Sequence, residues 1–382
     1  MRVLVATGFY PGEKMGGAEY QTSLIAQGLV ARGHQAGFLA TGAGVTQQRQ
    51  VEGVSLWEIP GWHTVGYQRH QAQLAQVVEA FAPDLCYVRV FSEIDNVMQV
   101  CRKAQIPVIS VSCGPQETSP FLLGQHPKAT IGHLRSRELF YHFRSFLAIR
   151  SAAVHICNSQ AYSRTMQRWY PKQDVRTIYN GSPVPTASEI HREPSGQVIW
   201  VNNCKRAKRP ELFIELARRL PQYNFVMIGA TYGRYGDSLK RKIEQGPSNL
   251  HYLGPQPIME VNRQISQSDL LVYTTAPGNE GFGNSYMQAW FRAVPTLSTF
   301  ELDGILDREG IGHFAHSFDQ LVAQVRELMT DHEGRMAMGA RARDYAMRCH
   351  RVETMVDNYE ALFTEVAQRT VGQPTARAYA GS

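Results

Sequence analysis

The sequence predicts an α/β protein of two doubly wound domains. Three observations carry that reading. Short apolar runs alternate with helical patterns through the first half, a Pro/Ser/Gly-rich break interrupts them at Gly181–Gly196, and a second alternating series follows. In the first half, strands are expected at Val3–Thr7, Ala36–Ala40, Val54–Ile59, Leu85–Val88, Val108–Ser112, Val154–Cys157 and Val175–Tyr179, with helices such as Glu19–Arg32 and Arg69–Phe81 between them. Strands separated by helices imply parallel βαβ units. The break, GSPVPTASEIHREPSG, has no apolar period and reads as a linker. Strands then resume at Val198–Asn202, Asn224–Ile228, Leu250–Leu253, Leu270–Tyr273 and Thr296–Ser298. Helices near Phe318–Met329, Glu333–Met347 and Val352–Ala367 close the pattern, and residues 371–382 read as a frayed tail. A length of 382 residues is too great for one ordinary core and suits two domains, here 1–185 and 186–351.

Composition narrows the classes. An apolar content of 43% with 19% charged residues describes a globular chain, not a disordered one. No apolar run approaches the roughly 18 residues of a membrane span. The start, MRVLVATGFYPG, lacks a small-residue cleavage site and reads as a buried strand, not a signal peptide. Six scattered cysteines without a CxxC pair suit reduced thiols in a cytoplasm and argue against a zinc site or a disulfide framework. The formal net charge of +6 points to an anionic partner. No helix-turn-helix, zinc-finger or RNA-binding signature is present, so nucleic acid is set aside for an anionic small molecule or an anionic membrane surface.

Doubly wound sheets bind ligands beyond the carboxyl ends of their strands, and two facing sheets would share a cleft. Four stretches stand out. In Gly8–Glu19, the pair Gly16-Gly17 precedes a helix whose first turn carries Glu19. Free N–H groups there favour an anion, although an ordinary flexible βα loop has the same look. In Asn202–Ala217, Lys205, Arg206, Lys208 and Arg209 crowd ahead of a helix that opens at Pro210. Cations at a helix N-terminus oppose its dipole, and a bound phosphate would compensate; a solvated basic loop is the bland reading. The third is EGFGNSYMQAW, Glu280–Trp290, in which an acid, two glycines and a later polar residue open a helix. Glu280 and Gln288 do not share a helix face, but both can border one elongated ligand if Glu280 precedes the helix; a capped helix with a buried Gln is the alternative. The fourth is Ile131–Arg150, where Arg135, Arg137, Arg144 and Arg150 alternate with Phe140, Phe143, Phe146 and Leu147. That pattern suits either a helix on anionic lipid or a core helix with a solvated basic face. The 13 histidines show no HExxH, and no Asp-x-Asp occurs, so no metal ligands are evident.

Taken together, these stretches resemble the retaining glycosyltransferases of family 4. The resemblance runs over nearly the whole chain. It rests on GGAE at Gly16–Glu19, RGH at Arg32–His34, YNG at Tyr179–Gly181, KRPELFIELA at Lys208–Ala217 and SDLLVY at Ser268–Tyr273. EGFG at Glu280–Gly283, DGIL at Asp303–Leu306 and REGIG at Arg308–Gly312 complete it. It implies the GT-B fold: two Rossmann-like domains facing across a cleft, with a C-terminal helix returning to the N-terminal domain. It implies transfer of a sugar, with retention, from a nucleoside diphosphate sugar to a hydroxyl of a glycan or lipid-linked acceptor, without a metal or other cofactor. Bacterial surface polysaccharide synthesis is the expected setting, in the cytoplasm or at the inner face of the membrane.

The family's roles carry over residue by residue. Gly16 and Gly17 would approach the donor diphosphate and the acceptor. Lys208 would neutralise the diphosphate, and Glu280 would border the sugar. Phe282, Gly283 and Asn284 would offer backbone N–H groups, and Gln288 would hold the ribose. Three positions depart from the common pattern. Gln288 replaces a Glu, exchanging charge-assisted bonds of about 1.5–3 kcal/mol for neutral ones of about 0.5–1.5. Asn203 replaces an Arg that assists the lysine, leaving Lys205 or Arg206 to supply that charge. Cys113 stands where many members have a His near the end of the Val108–Ser112 strand, and it and Glu19 are expected on the acceptor side. Two other classes compete: a nucleotide-sugar epimerase of the same fold, and a silent nucleotide-sugar binder. A nicotinamide dehydrogenase lacks its GxGxxG.

Overall fold

The computed structural model describes residues 1–11, 16–42, 46–60, 68–89, 94–112, 114, 146–190, 193–276, 283–300 and 303–371. The chain forms two compact units. One is Met1–Asn180 together with the chain from Val352 onward, and the other is Gly181–Arg351.

The first unit contains β1 (Arg2–Ala6), α1 (Gly17–Ala31), β2 (Gln35–Gly42), β3 (Gln47–Val51), β4 (Val54–Pro60), α2 (Gln68–Phe81) and β5 (Leu85–Val88). It continues with α3 (Ile94–Lys103), β6 (Val108–Ser112), β7 (Val154–Cys157), α4 (Gln160–Trp169) and β8 (Val175–Thr177). The strands lie in the order β3-β4-β2-β1-β5-β6-β7-β8. All neighbours are parallel except β3, which pairs antiparallel with β4. Strand β3 was not expected, because QQRQV is polar and largely exposed. Glu52 and Gly53, both at positive φ, make the tight turn that folds it onto β4.

The second unit contains β9 (Gln197–Val201), α5 (Pro210–Arg219), β10 (Asn224–Ile228), α6 (Gly233–Glu244), β11 (Leu250–Gly254), α7 (Ile258–Ser266) and β12 (Leu270–Tyr273). Then follow α8 (Asn284–Phe291), β13 (Thr296–Ser298), α9 (Ile305–Arg308), β14 (Gly312–Phe314), α10 (Phe318–Thr330) and α11 (His332–Cys349). Its parallel sheet runs β11-β10-β9-β12-β13-β14. Apolar side chains of both faces are covered by helices, which is why these strands read as continuous apolar runs.

The last helix, α12 (Val352–Val371), belongs to the first unit. Met355, Val356, Tyr359, Leu362, Phe363 and Val366 recur at helical spacing and join the core of Val3, Val5, Ile25, Leu29 and Tyr87. Helix α1 meets it closely, since a Cβ on Gly28 would stand 2.5 Å from Val356 Cγ2.

Gly181–Gly196 is not a free linker over the residues described. Thr186 and Glu189 cap a short 3-10 turn, Ala187–Glu189. The Glu189 carboxylate accepts from buried Arg292 at 2.6 Å, and the pair holds its pKa below the usual carboxylate range, after the backbone N–H of Thr186 as the main cause. The Ser195 and Gly196 N–H groups donate to buried Asp269 at 3.0 and 2.7 Å. The segment's polar groups are thus satisfied by the second unit, through partners too distant in sequence to show in its composition.

Within the first sheet, His155 on β7 is fully buried between two serines of β6. Ser110 Oγ lies 2.6 Å from Nδ1 and Ser112 Oγ lies 2.9 Å from Nε2. Desolvation pushes its pKa from 6.5 down to about 3, so the ring is neutral, donating through one nitrogen and accepting through the other. Between those values the unfolded chain binds a proton that the folded chain refuses. Stability therefore falls as pH drops through that window, by up to about 1.4 kcal/mol per pH unit from this group. Urea unfolding at a series of pH values should show a slope shallower by about that amount in His155→Gln.

Candidate active site

In the second unit the chain leaves β9 towards β10 and β11, then returns to the other edge of β9 as β12. The segments that follow β9 and β12 diverge at their carboxyl ends, and such a switch point is where an open α/β sheet leaves a crevice.

The β9 side is the basic turn. Lys208 ends a 3-10 turn, Arg206–Lys208, and its side chain is buried. The β12 side is stitched to it. Thr274 Oγ1 donates to the Lys208 carbonyl at 2.7 Å and accepts from Trp200 Nε1 at 2.9 Å, and the Ala276 N–H donates to the Ala207 carbonyl at 2.9 Å. Arg209 then sits in the left-handed region, at φ 46° and ψ 52°. Its Nε donates to the Thr274 carbonyl at 2.8 Å, and one Nη donates to the Thr275 carbonyl at 3.1 Å and to Thr299 Oγ1 at 2.6 Å.

The cations expected to share one phosphate therefore divide. Arg209 turns inward onto carbonyl oxygens, which corrects the expectation that an anion compensates all four. Lys205 and Arg206 are exposed, with Arg206 stacked 5.1 Å over the Tyr235 ring. Tyr235 in turn donates to Glu211 at 2.8 Å, and burial pushes its hydroxyl above the usual tyrosine range. Asn203 is exposed and accepts from Tyr232 at 3.4 Å.

Glu280 and Phe282 lie outside the described residues, and the chain is described again from Gly283. A Cβ at Gly283 would run into the Tyr273 hydroxyl, so only glycine fits between that ring and the start of α8. Asn284 is the first helical residue. Gln288 follows one turn on, buried, with Nε2 donating to Asn262 Oδ1 of α7 at 3.1 Å.

In the first unit, Gly16 caps α1 and Gly17 opens it. The Glu19 side chain folds back over that end, so that a Cβ on Gly16 would collide with its carboxyl and approach Phe9 Cζ to 3.0 Å. The negative charge facing this helix start is the chain's own Glu19. Cys113 lies outside the described residues. Of the expected helix Ile131–Arg150, residues 146–150 are described and are helical. Among the described residues no group of His, Cys, Asp and Glu is placed to hold a metal, and no helix is long and apolar enough to cross a membrane.

Two family models match successive parts of the chain. Residues 15–184 match Glycosyltransferase Family 4, and residues 186–345 match Glycosyl transferases group 1. The chain belongs to the group 1 glycosyl transferases. Among curated relatives it is similar to the O-antigen biosynthesis glycosyltransferase WbnH of Escherichia coli, 27% identical over 124 residues. That match spans 32% of this chain and 34% of WbnH. Among solved structures it is similar to a sucrose-phosphate synthase from Thermosynechococcus elongatus, with a TM-score of 0.77 at 12% identity, over 96% of this chain and 99% of that one. It is also similar to Anabaena HepE in complex with UDP and glucose, with a TM-score of 0.73 at 17% identity, over 96% of this chain and all of that one (100%). The fold is GT-B.

Within this glycosyl transferase, Thr274 and Asn262 were not foreseen as site residues. A threonine pair after an apolar strand, and a lone Asn in an amphipathic helix, have no distinguishing pattern in sequence. The Gly283 contact gives a direct test. Gly283→Ala should destabilise the second unit by about 1–3 kcal/mol in urea unfolding, as overpacking does. Adding Tyr273→Phe, which removes the obstructing oxygen, should recover part of that loss.

Proposed function

We propose that this glycosyl transferase moves a sugar, with retention, from a nucleoside diphosphate sugar to a hydroxyl of a glycan or lipid-linked acceptor, in bacterial surface polysaccharide assembly. The observation that carries the reading is the joining of the Lys208 turn to the end of β12 at the switch point of the second sheet. Lys208 meets the charge that develops on the leaving diphosphate, with Lys205 and Arg206 at its exposed side and Asn203 beside them. Glu280 borders the sugar. Phe282, Gly283 and Asn284 present backbone N–H groups at the start of α8, where the helix dipole favours an anion. Gln288 holds the ribose. Gly16 and Gly17 approach the diphosphate and acceptor, and Glu19 and Cys113 stand on the acceptor side. Front-face attack with the leaving phosphate as base needs no second carboxylate and no metal. WbnH, named for O-antigen biosynthesis, and HepE, bound to UDP and glucose, support the acceptor class and a UDP donor.

The acceptor reading extends to an anionic membrane surface. Residues 147–173 contain no Asp or Glu, while Arg150, Arg168 and Lys172 are exposed beside exposed Leu147 and Trp169. The Phe146 ring, 5.1 Å from that of Tyr170, joins the two segments. Amphipathic basic surfaces of this kind bind anionic lipid.

Lys208→Ala should lower kcat/KM for UDP release from UDP-glucose by about 10²–10³-fold, the cost of losing one preorganised charge-stabilising group. Its melting temperature should stay at the wild-type value. UDP at 100 times its Kd should add about 2.7 kcal/mol to wild-type stability, with or without EDTA; a wild-type rate in Lys208→Ala, or an EDTA-sensitive shift, refutes the site as drawn. Sedimentation with vesicles containing phosphatidylglycerol at low salt should carry the protein down, and Arg150→Glu with Trp169→Ala should release it. Equal binding to neutral phosphatidylcholine vesicles counts against the membrane reading.

A further inference from the structure

We propose that Arg209 is a positioning residue for the transfer step, holding the Lys208 turn at a set distance from the segment that leaves β12 and β13. The inference rests on the reading that Lys208 meets the leaving diphosphate.

Arg209 adopts a left-handed conformation that glycine takes freely and other side chains resist. A turn needed only for its shape would be served by glycine there. The strain is tolerated with a side chain present, and the contacts of that side chain show what it does. One planar guanidinium reaches the carbonyls of Thr274 and Thr275, just past the end of β12, and the hydroxyl of Thr299, just past the end of β13. These carbonyls lie beyond the strand ladder, so the guanidinium occupies acceptors the sheet leaves over.

The residue before Arg209 is Lys208, and the residue after Thr275 is Ala276, whose N–H already bonds to the Ala207 carbonyl. A group that fixes Thr274, Thr275 and Thr299 at once therefore fixes the turn against Thr274–Ala276, the described residues that precede Glu280 in sequence. Lysine cannot reproduce this, because a single ammonium lacks the planar fork that reaches three acceptors. The acceptors of the Arg209 guanidinium are two carbonyls and a hydroxyl, so its role is not that of a surface ion pair. Arg209 touches no reacting atom in this account; it acts through Lys208 and the β12 segment.

The test uses the full chain with UDP-glucose, reading UDP release for turnover and UDP titration for binding. Arg209→Gly relieves the backbone and deletes the clamp. It should fold, bind UDP within about threefold of wild type, and lose about 10²-fold in kcat, the scale on which a small misplacement acts. Guanidinium chloride at low, non-denaturing concentration should restore part of that kcat, and Arg209→Lys should not. Wild-type kcat in Arg209→Gly overturns the proposal. So does a loss shared equally by UDP binding and melting temperature without guanidinium rescue, which marks a plain structural brace. If Arg209→Gly does not fold, Thr299→Val decides: several-fold lower kcat with unchanged UDP binding supports the role, and unchanged kcat overturns it. Wild-type turnover in Lys208→Ala sinks the underlying site reading, whereas a dead Lys208→Ala beside a fully active Arg209→Gly removes only the positioning role.

Discussion

One buried hydroxyl sets the geometry at the mouth of the second sheet. Thr274 Oγ1 accepts from the indole of Trp200, a core residue of β9, and donates to the carbonyl of Lys208. Both of its roles are used, so it has one orientation. The bond from Trp200 anchors it to β9, one of the two central strands, and the bond to Lys208 passes that rigidity to a turn that would otherwise be a solvated loop. Arg209 and the Ala276 N–H reinforce the same seam from its two sides. The basic turn is therefore an extension of the core, and a side chain carried on it inherits the precision of the sheet.

The fold was largely legible because parallel strands covered on both faces must be short apolar runs, and helices must alternate with them. Strand β3 escaped for the converse reason. An edge strand with an exposed polar face, QQRQV, has no apolar signature, and only the Glu52-Gly53 turn betrays it. Strand β14, three residues long and opened by Gly312, is too brief to register as a period. The segment Gly181–Gly196 does begin where the two units part, but its bonds to Asp269 and Arg292 come from partners that no local composition can reveal.

At the candidate site, the residue types that stand out in sequence do so by backbone or charge: paired glycines, a basic cluster, an acid ahead of a helix. What was illegible was direction. Four cations within five residues look alike in sequence, yet Lys208 is buried, Arg206 lies over a tyrosine and Arg209 faces carbonyl oxygens. Gln288 was legible as a departure from an expected Glu. Its partner Asn262 was not, although an amide donor paired with an amide acceptor is a natural neighbour for Gln and a poor one for a carboxylate acting through the same atoms.

Helix α12 gives the N-terminal unit a discontinuous sequence, completed by a helix that follows the whole second unit in the chain. During synthesis the second unit is complete when Arg351 has emerged, but the first then still lacks six apolar side chains from its core. Its face over Ile25, Leu29 and Tyr87 stays open until the final helix arrives. The order of folding on the ribosome thus runs against the order of translation: the half made second can finish first. The nascent chain carries an unsatisfied apolar groove for the whole interval, which makes it a natural client for a holding chaperone. Any early termination before α12 leaves that groove permanently uncovered.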